Sequence, residues 1–268
     1  MWVWQLFDSI MDILGFGIAQ ILTFLLVLAR VGGIFTSAPI FGNTNVAPMV
    51  RISVALALTF VFLPMAQPWS GSFDLLPFFF AIIKEAMIGV LMGFLASLMF
   101  AAIQMAGAYI DLSMGLGYAQ VFDPMTKNQN AVIGQLQNLA ATLVFLAVNG
   151  HHVMIRGLAD SFAILPLGQM GISPETGAGM LEIFGTIFIA ALRIAAPVVG
   201  AIFLTDVALG ILARTVPQLN VFIVGFPAKL TVGLVVTIAV LPVAVGVMVG
   251  LFSGMHNDII ALLRHLRV

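Results

Sequence analysis

The sequence predicts an all-α, multi-helix integral membrane protein. Of its 268 residues, 62% are hydrophobic and only 8% are charged, and the mean hydropathy is +1.16. Soluble domains carry about 25% charged residues, so this chain has too few charges to cover a surface that faces water. The formal net charge of −1 also excludes a basic nucleic-acid-binding surface, and we expect no nucleic-acid partner.

Six apolar runs organise the chain and are the candidate helices. They cover residues 13–29 (continuing to 39 after Arg30), 52–63, 86–110, 131–150, 178–205 and 230–255. At 1.5 Å per residue the third run can cross the ~30 Å hydrocarbon core, whereas the second covers only roughly 18 Å. Lys84 and Glu85 precede the third run, and we expect them at its polar end.

Charges and prolines interrupt some of these runs. Lipid does not satisfy polar groups at membrane depth, so such groups face protein or water. The chain therefore either lines a polar path or is wrapped by other chains. Arg193 lies more than two helical turns from the nearest flanking acids, Glu182 and Asp206. We predict that it is a buried charge that pairs through a tertiary or intersubunit contact.

Glycines recur every four residues in two of the runs. Gly89 and Gly93 are followed at the same spacing by Ser97 and Ala101, and Gly246, Gly250 and Gly254 form a second stripe. Residues four apart share one helix face, and small ones let two backbones approach closely. These five glycines are predicted helix-packing positions. The alternative is generic packing within this one chain.

Residues suited to catalysis are scarce. The chain has no cysteine, no H-E-x-x-H motif, no phosphate-binding glycine loop and no nucleophile elbow. We therefore predict that it is not an enzyme and that it holds neither a metal nor a cofactor.

Residues 214–233 form a proline-bracketed stretch near the last run. Basic residues flank the run 230–255 on both sides, among them Arg214 and Lys229 before it and Arg264 and Arg267 after it. Because basic residues favour one side of the membrane, this pattern contradicts a simple six-span bundle. A hairpin-like or re-entrant arrangement fits it better.

The stretch "SMGLGYAQVFDP", residues 113–124, is neither an ordinary loop nor a helix. It is too apolar for a loop in water, while Gly115 and Gly117 break a helical register and Pro124 ends it. Without further information, static packing of these side chains at an interface is the simplest interpretation.

Several long stretches together resemble the FliR family, the flagellar member of the type III secretion export gate. They are "DLSMGLGYAQVFDP", "FLAVNGHHVMIRGLADSFAILPLG" and "VPQLNVFIVGFPAKLTVG", preceded in the same order by "ARVGGIFTSAPIFGNTNVAPMVRISVALALT" and "KEAMIGVLMGF". The likeness runs from about residue 20 to residue 255. The injectisome counterpart of the family is the nearest competitor.

This resemblance implies a gate subunit in the bacterial inner membrane, at the flagellar basal body. It implies a hetero-oligomer with FliP and FliQ, with FlhB at the entrance, whose kinked helical hairpins conduct unfolded flagellar export substrates. Residues 1–175 would be similar to a FliP subunit and residues 176–268 to a FliQ subunit. The gate itself would do no covalent chemistry.

The resemblance also implies a loop that plugs the closed pore. The matching residues are Ser113, Met114, Gly115, Leu116, Gly117, Tyr118, Val121 and Phe122. Tyr118 matches an aromatic gate residue and Phe122 is a second candidate, while Val121 stands where some relatives carry another aromatic. Apolar side chains close pores by dewetting, and the two glycines match flexible joints. Two other functions stay open: a secondary transporter for a small solute, although no inverted repeat is visible, and a purely structural assembly scaffold.

Overall fold

The described part of the chain is helical almost throughout. The computed structural model describes residues 17–42, 46–71, 74–117, 131–171, 174–218 and 220–267. In chain order these residues form α1 Ile18–Ser37, α2 Pro48–Phe62, α3 Leu75–Met114, α4 Val132–Ala147, α5 Gly150–Ile164, α6 Pro174–Thr215 and α7 Val221–His265. A 3-10 turn, Leu63–Met65, continues α2. The one β-type pairing among these ranges is an isolated bridge between Met170 and Arg267, so the all-α prediction is confirmed.

The six apolar runs correspond to the helices that could cross a membrane. Five helical segments are long and apolar enough to cross a membrane: Ile18–Ser37, Pro48–Met65, Leu75–Met114, Thr176–Thr215 and Ile223–His265. A sixth results if α4 and α5, which meet at a bend of 63°, are taken as one broken span. These counts refer to the described residues and to length and composition alone.

Four helices, α2, α3, α6 and α7, extend beyond their apolar runs because charged residues lie inside them. The second run was predicted to be too short to span, but Pro48–Met65 has 18 residues and includes Arg51. That guanidinium folds back to the carbonyl of Val46, with Nη2 donating at 3.1 Å and Nε at 3.3 Å. Pro48 stands at the first helical position, where a missing N–H leaves no carbonyl unpaired.

The bend between α4 and α5 falls at residues 148–149. Asn149 has a φ of 57°. Few residues other than glycine and asparagine adopt this left-handed backbone conformation. At the next position, a Cβ on Gly150 would lie 2.5 Å from two ring atoms of Phe145. The absence of a side chain there lets the phenyl ring lie directly on the backbone of the following helix.

Helices α6 and α7 form an antiparallel hairpin, while the run 230–255, whose two basic ends favoured a hairpin-like or re-entrant arrangement, lies within the single helix α7. Lys229 Nζ lies 2.5 Å from Asp206 Oδ1, and a Cβ on Gly225 would lie 3.3 Å from Leu209. The turn is shorter than predicted, however. Only residues 216–220 separate the two helices. Pro227, predicted to lie in the turn, lies inside α7. Membrane helices tolerate an internal proline where neighbouring groups satisfy the carbonyl that it leaves free.

The chain divides into two compact units. One comprises the residues up to Ser97, His151–Ile183 and those from Met255, and the other comprises Leu98–Gly150 and Phe184–Gly254. The core of the first contains Leu26, Val27, Val31 and Ile88, none of which is exposed. Both units take residues from both predicted parts, 1–175 and 176–268, and that division by resemblance stays a prediction.

The core of the second unit is an aromatic cluster. The rings of Phe100, Phe145 and Phe252 lie with their centroids 5.2 to 5.5 Å apart. Tilted and edge-on pairs at this spacing gain from the ring quadrupoles as well as from burial. The cluster joins α3, α4 and α7.

Large apolar side chains are exposed along most helices. Phe60, Leu76 and Ile238 are examples, with 65%, 68% and 71% of their surface accessible. Only 17% of the apolar window is buried in Pro48–Met65 and in Ile223–His265, against 56% in Leu75–Met114. Helices that expose this much apolar surface require lipid or other chains to cover it.

Candidate functional site

The candidate site begins where α3 ends, at Met114. Gly115 has a φ of 87°, which a residue without a Cβ adopts at no steric cost. Its N–H donates to the carbonyl of Leu112 at 3.1 Å, and the N–H of Leu116 donates to the carbonyl of Asp111 at 3.0 Å. This pair of bonds is the Schellman arrangement that terminates helices. Gly115 is therefore the C-terminal cap of α3.

The side chain of Asp111 binds the beginning of α4. Its Oδ2 accepts from the N–H of Ile133 at 2.9 Å and from that of Gly134 at 3.3 Å, and Oδ1 accepts from Ile133 at 3.2 Å. The residue that precedes the helix, Ala131, provides no side-chain cap. The first N–H groups of a helix have no partner within it and attract negative charge. The carboxylate of Asp111, which is only 2% exposed, supplies both the hydrogen-bond acceptor and the negative charge.

Two glycines let α3 and α4 approach at this point. A Cβ on Gly107 would lie 2.6 Å from the backbone nitrogen of Gly134, and one on Gly134 would lie 3.2 Å from the carbonyl oxygen of Gln104. The contact is therefore backbone against backbone. It brings the N-terminus of α4 within reach of the short Asp111 side chain.

Met114 packs the end of α3 against α7. The side chain is completely buried, and a Cβ on Gly233 would lie 2.5 Å from its Cε and 3.0 Å from its Sδ. The methionine thus fills the space that a side chain at residue 233 would occupy. Met114 therefore anchors the segment inside this chain, and its own side chain is not exposed.

The other residues of the predicted plug divide into two groups. Ser113, Leu116 and Gly117 are half-buried, and Ser113 Oγ donates to the carbonyl of Tyr109 at 2.8 Å. Tyr118, Val121 and Phe122 lie outside the described residues. Of the two predicted flexible joints, Gly115 has its conformation set by the helix cap, whereas a Cβ on Gly117 would make only an ordinary contact with Leu112, at 3.5 Å.

The glycine stripes differ in their surroundings. Gly89 and Gly93 face the backbone of α1: a Cβ on Gly89 would lie 3.0 Å from Gly33 Cα, and one on Gly93 would lie 2.9 Å from Ala38 N. By contrast, a Cβ on Gly246, Gly250 or Gly254 would meet no described atom within 4 Å. The second stripe therefore packs against no described part of this chain, and its seam stays a prediction about another chain.

Arg193 is exposed in this chain, so its predicted burial depends on a contact with another subunit. Its face of α6 is not covered by another described element, and no described acid forms an ion pair with it. Its predicted pairing with another subunit stays a prediction.

The sequence analysis missed a buried charge network around Arg30. Its Nε donates to Glu85 Oε2 at 2.5 Å, and both side chains are completely buried. The other guanidinium nitrogens donate to the carbonyls of Ser161 and Leu165, each at 2.9 Å. Glu85 Oε1 accepts from the N–H of Gly168 at 2.7 Å. Glu85 thus lies inside α3 and not at a polar end, because a cation from another helix neutralises it.

A signal for this network was present in the sequence. Arg30 and Glu85 are opposite charges, each within or beside a long apolar run, and isolated charges at membrane depth pair with one another. Asp111 had a signal too. A carboxylate in the last turn of a helix opposes the negative end of the helix dipole, so its presence there indicates a partner elsewhere.

The described residues contain no group of three or more His, Cys, Asp or Glu side chains that could hold a metal ion. The described groups at the end of α3 and the start of α4 are the Asp111 carboxylate, backbone amides and apolar side chains. They position helix ends and exclude water.

Comparison with known proteins identifies the family. The model of "Bacterial export proteins, family 1" matches residues 21–255. The flagellar biosynthetic protein FliR of Bacillus subtilis (strain 168) is 40% identical over 238 residues, which cover 86% of this chain and 90% of that protein. FliR of Escherichia coli (strain K12) is 32% identical over 86% of this chain and 88% of its own, and FliR of Aquifex aeolicus (strain VF5) is 30% identical over 83% and 86%. Since the match extends over most of the chain and most of each relative, this chain belongs to the FliR family of bacterial export proteins.

Proposed function

We propose that this chain is a subunit of the flagellar type III protein export gate. The observation that carries the proposal is the match to bacterial export proteins over residues 21–255, together with 40% identity to a protein named for flagellar biosynthesis. The chain works in the inner membrane, at the flagellar basal body. Its partners are FliP, FliQ and FlhB homologues, and its substrates are unfolded flagellar proteins.

Exposed charges on the candidate spans support a hetero-oligomer. The side chains of Lys229 and Asp206 are 28% and 45% exposed, and Arg193 is exposed on the same hairpin. Lipid solvates such groups poorly, so charged side chains at membrane depth face protein or water. Neighbouring gate subunits would supply that environment, and they would also cover the exposed apolar faces of α2 and α7.

Within the gate, residues 113–122 form the seal; we call this segment the gate loop. Leu116, Tyr118, Val121 and Phe122 are its apolar side chains, and an apolar constriction stops water and ions by dewetting. The capped end of α3 and the buried Met114 support this role, because a seal needs a fixed point from which to move. Gly117, whose N–H makes the longest and last of the cap bonds, to the carbonyl of Asp111 at 3.4 Å, is the joint.

The gate subunit carries out no covalent step and needs no cofactor. The groups gathered at the loop base, a carboxylate with backbone amides, favour positioning over bond making. Substrate movement would draw its energy from elsewhere in the apparatus. The FliP-like part, residues 1–175, and the FliQ-like part, residues 176–268, provide the two surfaces on which the partners assemble.

Co-purification tests the assembly directly. An affinity-tagged chain, expressed with its own FliP and FliQ homologues and extracted in mild detergent, should elute with both as one stable complex. A lone monomer that transports a small solute after reconstitution would contradict the proposal and favour a secondary transporter.

A further inference from the structure

A groove of about 510 Å³ lies between the last turns of α3 and the middle of α6. All residues that line it belong to the second of the two compact units. On the α6 side its lining includes the small residues Ala195, Ala196 and Gly200, and a Cβ on Gly200 would meet no described atom within 4 Å. The described part of the chain therefore leaves this space open.

Large apolar side chains line both sides of the groove and are exposed. On α3, Tyr109 and Leu112 are 40% and 58% exposed, and on α6, Leu192 and Phe203 are 45% and 65% exposed. From Leu192 to Phe203 the groove extends roughly 16 Å along α6, or about three helical turns. An apolar groove of this length accommodates either a section of another helix or the tail of a lipid.

Arg193 decides between these two occupants. It stands beside Leu192 and two turns before Gly200, and residues at i and i+7 share one helix face, so it lies along the edge of the groove. It is exposed, and no described acid forms an ion pair with it. Along α6 it lies roughly 16 Å from Glu182 and roughly 20 Å from Asp206, too far for either to reach it. Lipid tails do not solvate a guanidinium, which favours a protein occupant over an acyl chain.

Pro197 adds a second polar group at the same place. It lies inside α6, and because proline has no N–H it cannot donate to the carbonyl of the residue four positions before it, which is Arg193. At membrane depth a carbonyl without its helical partner is costly, and neighbouring helices satisfy such groups. The side chain and the backbone of Arg193 thus both favour a polar contact from a neighbouring helix.

We propose that the groove between α3 and α6 receives an apolar helix of a neighbouring export-gate subunit, and that this helix carries an Asp or Glu carboxylate that pairs with Arg193. The inference rests on the proposed function, in which this chain is one subunit of the gate. Apolar side chains of the partner helix fill the groove beside the small residues of α6, and close packing stabilises the contact. The charge-assisted hydrogen bonds between guanidinium and carboxylate select one partner and one register.

Photo-crosslinking identifies the occupant in the assembled complex. Tyr109 and Phe203, which lie on opposite sides of the groove, are replaced in separate variants by p-benzoylphenylalanine. Each variant is co-expressed with its FliP, FliQ and FlhB homologues, and the purified complex is irradiated and analysed by mass spectrometry. Both probes should capture the same helix of one of these subunits, and that helix should contain an Asp or Glu. Adducts with phospholipid alone, no adduct at all, or a captured helix without an acid would overturn the inference.

Filling the groove tests the same contact by another route. Gly200→Leu places a large side chain in the groove. Gly210→Leu, on the same helix but outside the groove, is the matched control, because a Cβ at either position would meet no described atom within 4 Å. Gly200→Leu should reduce the yield of complex several-fold and Gly210→Leu should not, while both full chains keep the Tm of the unchanged chain. Equal yields of complex in the two variants would show that no partner occupies the groove.

Charge reversal tests the ion pair. Arg193→Glu should reduce the yield of complex several-fold relative to Arg214→Glu, which changes an exposed arginine on the same helix outside the groove. Replacing the captured acid of the partner helix by Arg should then restore most of the lost complex. Normal assembly of Arg193→Glu, or no recovery in the exchanged pair, would overturn the pairing.

Failure of this inference is distinguishable from failure of the proposed function. If the unchanged chain does not co-purify with the FliP and FliQ homologues, the gate function is wrong and the inference fails with it. If the unchanged chain does co-purify, while neither probe captures a subunit helix and Gly200→Leu assembles like Gly210→Leu, the groove assignment alone is wrong.

Discussion

Arg30 and Glu85 form an ion pair at 2.5 Å between side chains that are both completely buried. The pair joins α1 to the first third of α3, and its remaining hydrogen bonds reach the end of α5 and the turn after it. Two apolar helices slide easily against each other, whereas a buried pair with every contact satisfied defines one register. Such a pair is better evidence for specificity than for net stability.

Removing one partner of this pair should lower the free energy of unfolding far more than replacing both partners by apolar residues. Glu85→Ala leaves a buried guanidinium without its counter-ion, which costs about 3–5 kcal/mol, while an apolar replacement of both partners is often near neutral. We expect the double variant Arg30→Leu/Glu85→Leu to be more stable than Glu85→Ala when the free energy of unfolding is measured in mixed detergent micelles. The control is the exposed neighbour Lys84→Ala, for which we expect a change within about 0.5 kcal/mol. Additive single-site losses in the double variant would contradict this account.

Gly89→Ala and Gly246→Ala test whether the first glycine stripe is packed and the second is open. A Cβ on Gly89 would lie 3.0 Å from both Gly33 Cα and Arg30 C, all backbone atoms, whereas one on Gly246 would meet nothing described within 4 Å. Alanine is a better helix former than glycine by about 1 kcal/mol, so Gly246→Ala should be neutral or stabilising for the chain. Gly89→Ala should lose roughly 1–3 kcal/mol through overpacking. Equal thermal stabilities of the two variants would show that α1 and α3 are not in close contact.

The second stripe makes a different prediction, about assembly. Gly250→Leu adds a large side chain where the chain itself offers open space, so the stability of the isolated chain should change little. The same side chain would block close approach of a partner helix, and we expect the yield of complex with FliP and FliQ homologues to fall several-fold.

The matched control for that experiment is Gly185→Leu, on α6. Gly185 has equally open surroundings but does not belong to a stripe of glycines at four-residue spacing. If Gly250→Leu assembles normally, or if both variants lose the same share of complex, the stripe is not a specific contact surface for a partner helix.

Much of the fold was predictable because apolar length is a strong signal. Six apolar runs correspond to five spans and one bent pair. The boundaries were less predictable, since a rule that ends a helix at each charge fails where the charge is satisfied. Arg51 folds back to the Val46 carbonyl, and Glu85 meets Arg30, so both helices continue through them.

The candidate site was predictable only in part, for a similar reason. The Gly115 and Gly117 pattern located the end of α3, and the family resemblance supplied a role. The caps themselves depend on contacts between distant residues: Asp111 bonds to Ile133, 22 positions later, and Met114 packs on Gly233. Neither pairing follows from local propensity. The sequence likewise did not show that the second stripe, which begins at Gly246, is left uncovered by the described part of this chain. A periodic pattern does not specify which chain packs against it.

The most direct test of the account measures ion leak through the resting complex with a substitution in the gate loop. Gly117→Asp places a charge at the joint of the apolar seal, while Gly117→Ala adds a Cβ with only an ordinary contact, 3.5 Å from Leu112, and serves as the control. Purified complexes containing FliP and FliQ homologues are reconstituted into vesicles that hold an ion indicator. If residues 113–122 close the pore, Gly117→Asp leaks well above Gly117→Ala and the unchanged chain, at equal complex yield. An unchanged leak in Gly117→Asp, together with normal secretion in cells, would contradict the gating function.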